Sequence, residues 1–242
     1  SAINYTTRNE LQAYQHEEYA VYNVVPYFLN PYFQDKETTL AKIKIGIHLH
    51  LFYQDMIEDC IDYLNNIPLP FDLYLSIPKD ASIQECSTKF TSSLNLAQQI
   101  IVEHVPNRGR DLAPLIIQFG QRLADYDVIA HFHTKKSPHK QTLNGWFDSL
   151  MSTLCGSHTR ISQILSLLIQ DAKTVYPAGN QIAHWDSSGW SDNHGTAKTF
   201  LEKYTDFDIA DFQRVEFPQG GMFWAKGAAL REFLTLPLTY QD

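Results

Sequence analysis

Long apolar runs are missing from this 242-residue chain. None approaches the roughly 20 residues that a membrane-crossing helix needs. The first residues also lack the basic and apolar regions of a secretory signal peptide. A cytoplasmic protein is expected, attached at most peripherally to the inner face of the cell membrane. Cysteine is scarce: Cys60, Cys86 and Cys155 are an odd number at wide spacing. That excludes a disulfide framework or a zinc ribbon and fits a reducing compartment. Positive charge is in deficit, with 19 Lys+Arg against 27 Asp+Glu and a net charge of −8. Neutralising a nucleic-acid backbone needs an excess of Lys and Arg, so no nucleic-acid partner is expected. Charged residues total 19% while hydrophobic residues reach 44%, which excludes a disordered chain. No internal repeat, low-complexity tract or Gly/Ser linker divides the sequence, and its length suffices for one large core.

What is present falls into two parts. Residues 1–41 form a leader rich in aromatics, among them Tyr14, Tyr19, Tyr22, Tyr27, Phe28, Tyr32 and Phe33. Leu11, Tyr14, Glu18, Val21, Tyr22 and Val25 recur at rough helical spacing until Pro26 and Pro31. That pattern predicts a helix packed on the domain that follows. Over residues 42–242, strand and helix patterns alternate. Ile43–Phe52, Phe71–Ile77, Ile100–Val105 and Val128–Phe132 read as strands. Helical patterns over Asp55–Asn66, Ser82–Asn95 and Asp111–Ala124 separate them. The fold class this predicts is α/β, with a mostly parallel central sheet flanked by helices. Further helices are expected over Trp146–Leu154, Ile161–Asp171, Thr196–Tyr204 and Ala228–Leu234. Short strands are expected over Thr174–Tyr176 and Arg214–Phe217, with a tight turn at Pro218-Gln219-Gly220-Gly221.

Ligands of open α/β sheets bind at the carboxyl ends of the strands, so the strand–loop junctions are where chemistry is expected. On the first strand His48 and His50 share one face; on the fourth, His131, His133 and Lys135 do the same. Four histidines could hold a zinc-like ion, although no Cys pair or Asp-x-Asp joins them at these strand ends. After the third strand, Asn107-Arg108-Gly109-Arg110-Asp111 leads into a helix. Gly109 permits close backbone approach, a helix N-terminus attracts anions, and two guanidinium forks match phosphate. With Lys135 and Lys136 at the next strand end, the cluster suits a diphosphate. Residue types alone leave open the reading in which Arg110 pairs with a structural carboxylate and Asp111 caps its helix. Gly220 and Gly221, followed by Phe223 and Trp224, fit either a ring-stacking ligand site or ordinary core.

Taken in order, His48-Leu49-His50-Leu51-Phe52-Tyr53, Asn107-Arg108-Gly109-Arg110-Asp111, His133-Thr134-Lys135-Lys136-Ser137 and Phe217-Pro218-Gln219-Gly220-Gly221-Met222-Phe223-Trp224 resemble the rhamnan synthesis protein F family. The likeness runs from about Lys42 to the end and leaves residues 1–41 outside it. It implies a GT-A (Rossmann-like) glycosyltransferase that uses a nucleotide-diphosphate sugar, with dTDP-rhamnose the favoured donor. The product would be a bacterial cell-surface polysaccharide such as rhamnan, O-antigen or capsule. The resemblance implies donor binding by His50, Asn107, Arg108, Gly109, Arg110, Asp111, His131, His133, Lys135, Lys136 and Ser137. It places Gln219, Gly220, Gly221, Phe223 and Trp224 on the acceptor side. His133 and Asp242 are the candidates for a catalytic base. A saccharide acceptor, lipid-linked or free, and other polysaccharide-assembly proteins are the implied partners.

Two departures qualify the likeness. Where many such enzymes carry Asp-x-Asp for a divalent ion, this chain reads His131-Phe132-His133-Thr134-Lys135. The family's acidic segment after Leu236-Pro237-Leu238-Thr239-Tyr240-Gln241-Asp242 is not included, so the chain reads as C-terminally shortened. Arg108, Arg110, Lys135 and Lys136 are therefore expected to meet the diphosphate charge, with no cofactor and no divalent metal required. The rival expectations are a non-catalytic saccharide-binding or scaffold domain of a larger synthase, and a metal hydrolase built on His48, His50, His131 and His133.

Overall fold

The computed structural model describes residues 42–136, 145–177, 190, 193–211 and 218–241. In chain order the elements are β1 Ile45–His50, α1 Ile57–Leu64, β2 Phe71–Ile77, α2 Ile83–Ser93 and β3 Ala97–His104. A π-helical turn at Pro114–Gln118 then leads into the short α3 Gly120–Leu123 and β4 Val128–His133. They are followed by α4 Trp146–Cys155, α5 His158–Gln170, β5 Thr174–Val175, α6 His194–Tyr204, β6 Phe223–Lys226 and α7 Gly227–Leu234.

The strands form one six-stranded sheet in the order β3-β2-β1-β4-β6-β5. β1, β2, β3 and β4 are mutually parallel, as the helix-length segments between them require. β6 runs antiparallel to both β4 and β5. This strand was not expected from the sequence, where Phe223 and Trp224 read as the end of a glycine turn. Arg214–Phe217, expected as a strand, lies outside the described residues, as does the leader 1–41.

Alternation along each strand divides the sheet into two faces. Ile45, Ile47 and Leu49 of β1, Leu73 and Leu75 of β2, and Phe132 of β4 join the main core with residues of α1, α2, α4 and α5. Ser82 and Ser157 start α2 and α5 as N-caps, accepting the Glu85 and Arg160 N–H groups at 3.2 and 3.1 Å. The other face is covered in its lower part by Leu115, Phe119, Leu123 and Leu234, which pack on Tyr74, Ile129, Phe223 and Ala225. The helix expected over Asp111–Ala124 is broken, because the Phe119 N–H reaches back five residues to the Pro114 carbonyl at 3.3 Å. Single π turns of this kind concentrate at functional sites. Cys60, Cys86 and Cys155 are free and buried. Among the described residues no helix is long and apolar enough to cross a membrane.

Candidate functional site

The chain leaves β1 for β2 and β3 on one side and returns to β4 on the other, so the order reverses between β1 and β4. Such a reversal opens a crevice at the carboxyl ends of the two strands. Here those ends are lined with histidine. Register places His48 opposite His131 and His50 opposite His133, all on the face that Phe119 and Phe223 cover lower down. Ser76 of β2 pairs with His50 in the same register scheme.

The polar groups form one connected network. His48 Nδ1 lies 2.9 Å from His131 Nδ1, and the two ring planes are nearly parallel, with an interplanar angle of 7°. Ser76 Oγ lies 2.9 Å from His48 Nε2 and 2.7 Å from His50 Nδ1. His131 Nε2 reaches Asp111 Oδ2 at 3.2 Å, and His133 Nε2 is 3.8 Å from the same oxygen. The His133 Nε2–H donates to the Gly220 carbonyl. His48, Ser76 and His131 have no exposure to solvent, and His50 and His133 retain 8% and 7%.

Burial sets the electrostatics. Desolvation, with the like-charged rings around it, holds His48 well below the ordinary histidine value and brings His50 down to about 4. His133 is lowered chiefly by burial as well. Burial alone would raise the Asp111 carboxyl. The His131 hydrogen bond and the charges of His133 and His131 override it and hold Asp111 well below the usual carboxylate range.

Two backbone devices bring Asp111 and the glycine turn together. Gly109 and Arg110 both adopt left-handed conformations, with φ of 74° and 54°. A left-handed arginine is strained, and the strain turns Asp111 inward beneath the histidines. Asp111 is thus a histidine partner, which decides against the alternative in which it only caps its helix. Gly220 and Gly221 have φ of 80° and 82°. A Cβ on Gly221 would stand 2.9 Å from Asp111 Oδ2, and one on Gly220 would stand 2.6 Å from a Leu150 methyl. Only glycine lets this turn close on the carboxylate.

The cations divide. Lys135 Nζ sits 3.6 Å from the Trp146 ring centroid, close enough for Asp111 and Arg110 to act on its charge. Arg110 is exposed at the same rim. Arg108 donates to the Gln241 carbonyl at 3.0 Å and ties down the C-terminal segment. Lys136 turns the other way, pairing with Asp55 and lying over Tyr53. Asn107 is exposed on the same loop as Arg110.

Of the residues assigned to the acceptor side, Gly220 and Gly221 border the cleft. Phe223 packs on His131 with ring centroids 5.6 Å apart. Trp224 is fully buried on the opposite face, its indole N–H donated to the Leu154 carbonyl at 3.1 Å. It is core, because its strand alternates away from the histidines. Ser137, Asp242 and the Gln219 side chain lie outside the described residues.

Sequence reasoning passed over Ser76 and Thr134. Thr134 Oγ1 accepts the Phe52 and Tyr53 N–H groups, both at 3.0 Å, and so fixes the exit of β1 against that of β4. Two Asp-x-Asp triplets also escaped notice. Asp125-Tyr126-Asp127 precedes β4 at the wrong end of the sheet, where Asp127 accepts the Lys44 N–H at 2.8 Å. Asp206-Phe207-Asp208 is exposed beyond α6, and Asp208 accepts the Ala210 N–H at 2.9 Å. Among the described residues no three of His, Cys, Asp and Glu are grouped to hold a metal ion.

The sequence matches the rhamnan synthesis protein F family over residues 6–242. The chain belongs to this family. The match begins ahead of Lys42 and takes in most of the aromatic leader, which the motif likeness had left outside. Two relatives carry the name "Uncharacterized protein WxcX", from Xanthomonas campestris pv. campestris strains ATCC 33913 and B100. Each is 26% identical over 206 residues, covering 83% of this chain. The chain spans about 28% of the length of these relatives. Family membership implies involvement in rhamnan and related polysaccharide synthesis.

Proposed function

We propose that the cleft at the ends of β1 and β4 binds a nucleotide-diphosphate sugar, and that the domain is a GT-A-type glycosyltransferase transferring that sugar to a growing surface polysaccharide. The observation that carries this reading is the meeting of four chain segments at the sheet's reversal point. His50, Asp111, His133 and the Gly220–Gly221 turn close on one another there, with Arg110 and Lys135 at the rim. Open α/β sheets hold nucleotides at this position.

In the reaction the anomeric carbon becomes cation-like and the leaving diphosphate gains negative charge. Fixed donors aimed at that charge supply much of the catalysis. Arg110, as a forked donor, and Lys135, as a point charge, are the rim cations for that task, so donor binding needs no divalent metal. The acceptor is a saccharide hydroxyl, lipid-linked or free, and the favoured donor is dTDP-rhamnose. Other polysaccharide-assembly proteins are the natural partners of such a domain.

A thermal-shift screen of nucleotide sugars, run with EDTA and again with manganese, tests this reading. Stabilisation by a nucleotide-diphosphate sugar in EDTA is the expected result. No response to any nucleotide sugar in either condition removes it.

A further inference from the structure

With the histidines neutral, the hydrogen bonds at the cleft floor have one consistent direction, and Asp111 sets it. An ionised carboxylate accepts only, so His131 must present Nε2–H to Asp111 Oδ2. Neutral His131 then has a lone pair on Nδ1, and the facing His48 Nδ1 must carry the proton. That leaves His48 Nε2 as an acceptor, which takes the hydroxyl proton of Ser76. Ser76 Oγ in turn accepts from His50 Nδ1–H. The chain ends at His50 Nε2, which is left with a lone pair and has no hydrogen-bond partner among the described residues. His50 also keeps a small exposure to the cleft, whereas His48, Ser76 and His131 have none.

We propose that Asp111, His131, His48 and Ser76 form a buried proton relay whose open end, His50 Nε2, accepts the proton of the attacking hydroxyl. The proposal rests on the donor-binding reading above and supplies the base that reading lacks. The acceptor O–H gives its proton to His50 Nε2, while the oxygen's electron pair forms the bond to the anomeric carbon. The bond from that carbon to the diphosphate oxygen breaks, and its electron pair leaves with the diphosphate. Proton shifts from His50 Nδ1 to Ser76, from Ser76 to His48 Nε2, and from His48 Nδ1 to His131 Nδ1 move the charge inward. It comes to rest on His131, the ring whose N–H contacts a carboxylate, and the reverse shifts release it after the product leaves. A histidine on its own in this apolar floor would have to hold the charge without a counter-ion. His50 is thus the catalytic residue, and the other four position and discharge it.

Free histidine favours the Nε2–H tautomer, so the bond directions the relay requires have a spectroscopic signature, and the transfer rate then separates a working relay from a static network. Proton–nitrogen correlation spectra of the imidazoles in the full chain, near neutral pH, read the tautomers without any ligand. The expected result is Nδ1–H on His48 and His50, and Nε2–H on His131. Ser76→Ala removes the acceptor of His50 Nδ1–H and returns His50 to Nε2–H. The same substitution lowers the rate of sugar transfer about a hundredfold. Nε2–H on His50 in the unsubstituted chain overturns the relay even if a donor binds. The expected tautomers, together with failure of every nucleotide-diphosphate sugar to bind, overturn the donor reading and the transfer step with it.

Discussion

His48 and His131 face each other across β1 and β4 with their Nδ1 atoms 2.9 Å apart, so the two rings share a single proton between them. Charging both would point two N–H groups at each other in a site without solvent. Acid therefore attacks the fold here. His50 titrates at about 4 in the fold against 6.5 when unfolded, and His48 and His133 are shifted in the same direction. Between those values the unfolded chain binds more protons, so stability falls as pH drops from about 6.5 towards 4. His50 alone accounts for about 3 kcal/mol of that loss. Asp111, held low by His131 and His133, adds its own loss only further down, as pH falls through the carboxylate range. Urea denaturation across this window should show a falling midpoint, less steep in His50→Gln. A midpoint that stays flat from about pH 7 to 5 would contradict the burial argument.

Gly221→Ala tests the closure of the glycine turn. Its Cβ would press on Asp111 Oδ2 at 2.9 Å, and its φ of 82° is one that alanine adopts at a cost of about 1–2 kcal/mol. The expected outcome is a modest loss of thermal stability with at least tenfold weaker donor binding. Unchanged donor affinity would detach the turn from the site.

The three nearby cations should separate. Arg110→Ala is expected to weaken donor binding roughly ten- to hundredfold, from the loss of a charge-assisted bond of about 1.5–3 kcal/mol. Lys135→Ala should act in the same direction and more mildly. Lys136→Ala should leave affinity unchanged, because its ammonium is committed to Asp55. Equal effects from all three would indicate a diffuse electrostatic field in place of a specific contact.

Trp224→Phe distinguishes packing from recognition. The indole fills the core and satisfies the Leu154 carbonyl. Its loss should cost about 2 kcal/mol in chemical denaturation, from a cavity and an unpaired carbonyl. Donor affinity should not move; a large fall in affinity at unchanged stability would return this tryptophan to the binding site.

The parallel sheet was legible because period-two alternation is local. Ile45, Ile47 and Leu49 against Gly46, His48 and His50 announce one face of β1 as core and the other as polar. β2 was read to its ends for the same reason. β6 was not, since four residues after a glycine turn carry little pattern, and a packed indole looks like a stacking one until its strand partners are known. Ser76 is one small hydroxyl in a largely apolar strand, and it acquires meaning only through the register that sets it beside His50. Asp111 stood open between a ligand-binding role and a helix cap, because its turn inward depends on two left-handed residues and on a strand 20 positions on. The strand-end rule located the cleft; the wiring inside it needed the fold.

Calorimetric titration of the chain with dTDP-rhamnose in EDTA, repeated with Arg110→Ala, tests the central claim most directly. The account predicts saturable one-to-one binding without metal and a roughly ten- to hundredfold weaker constant in the variant. Binding that vanishes in EDTA and returns with manganese, or that Arg110→Ala leaves untouched, would contradict it.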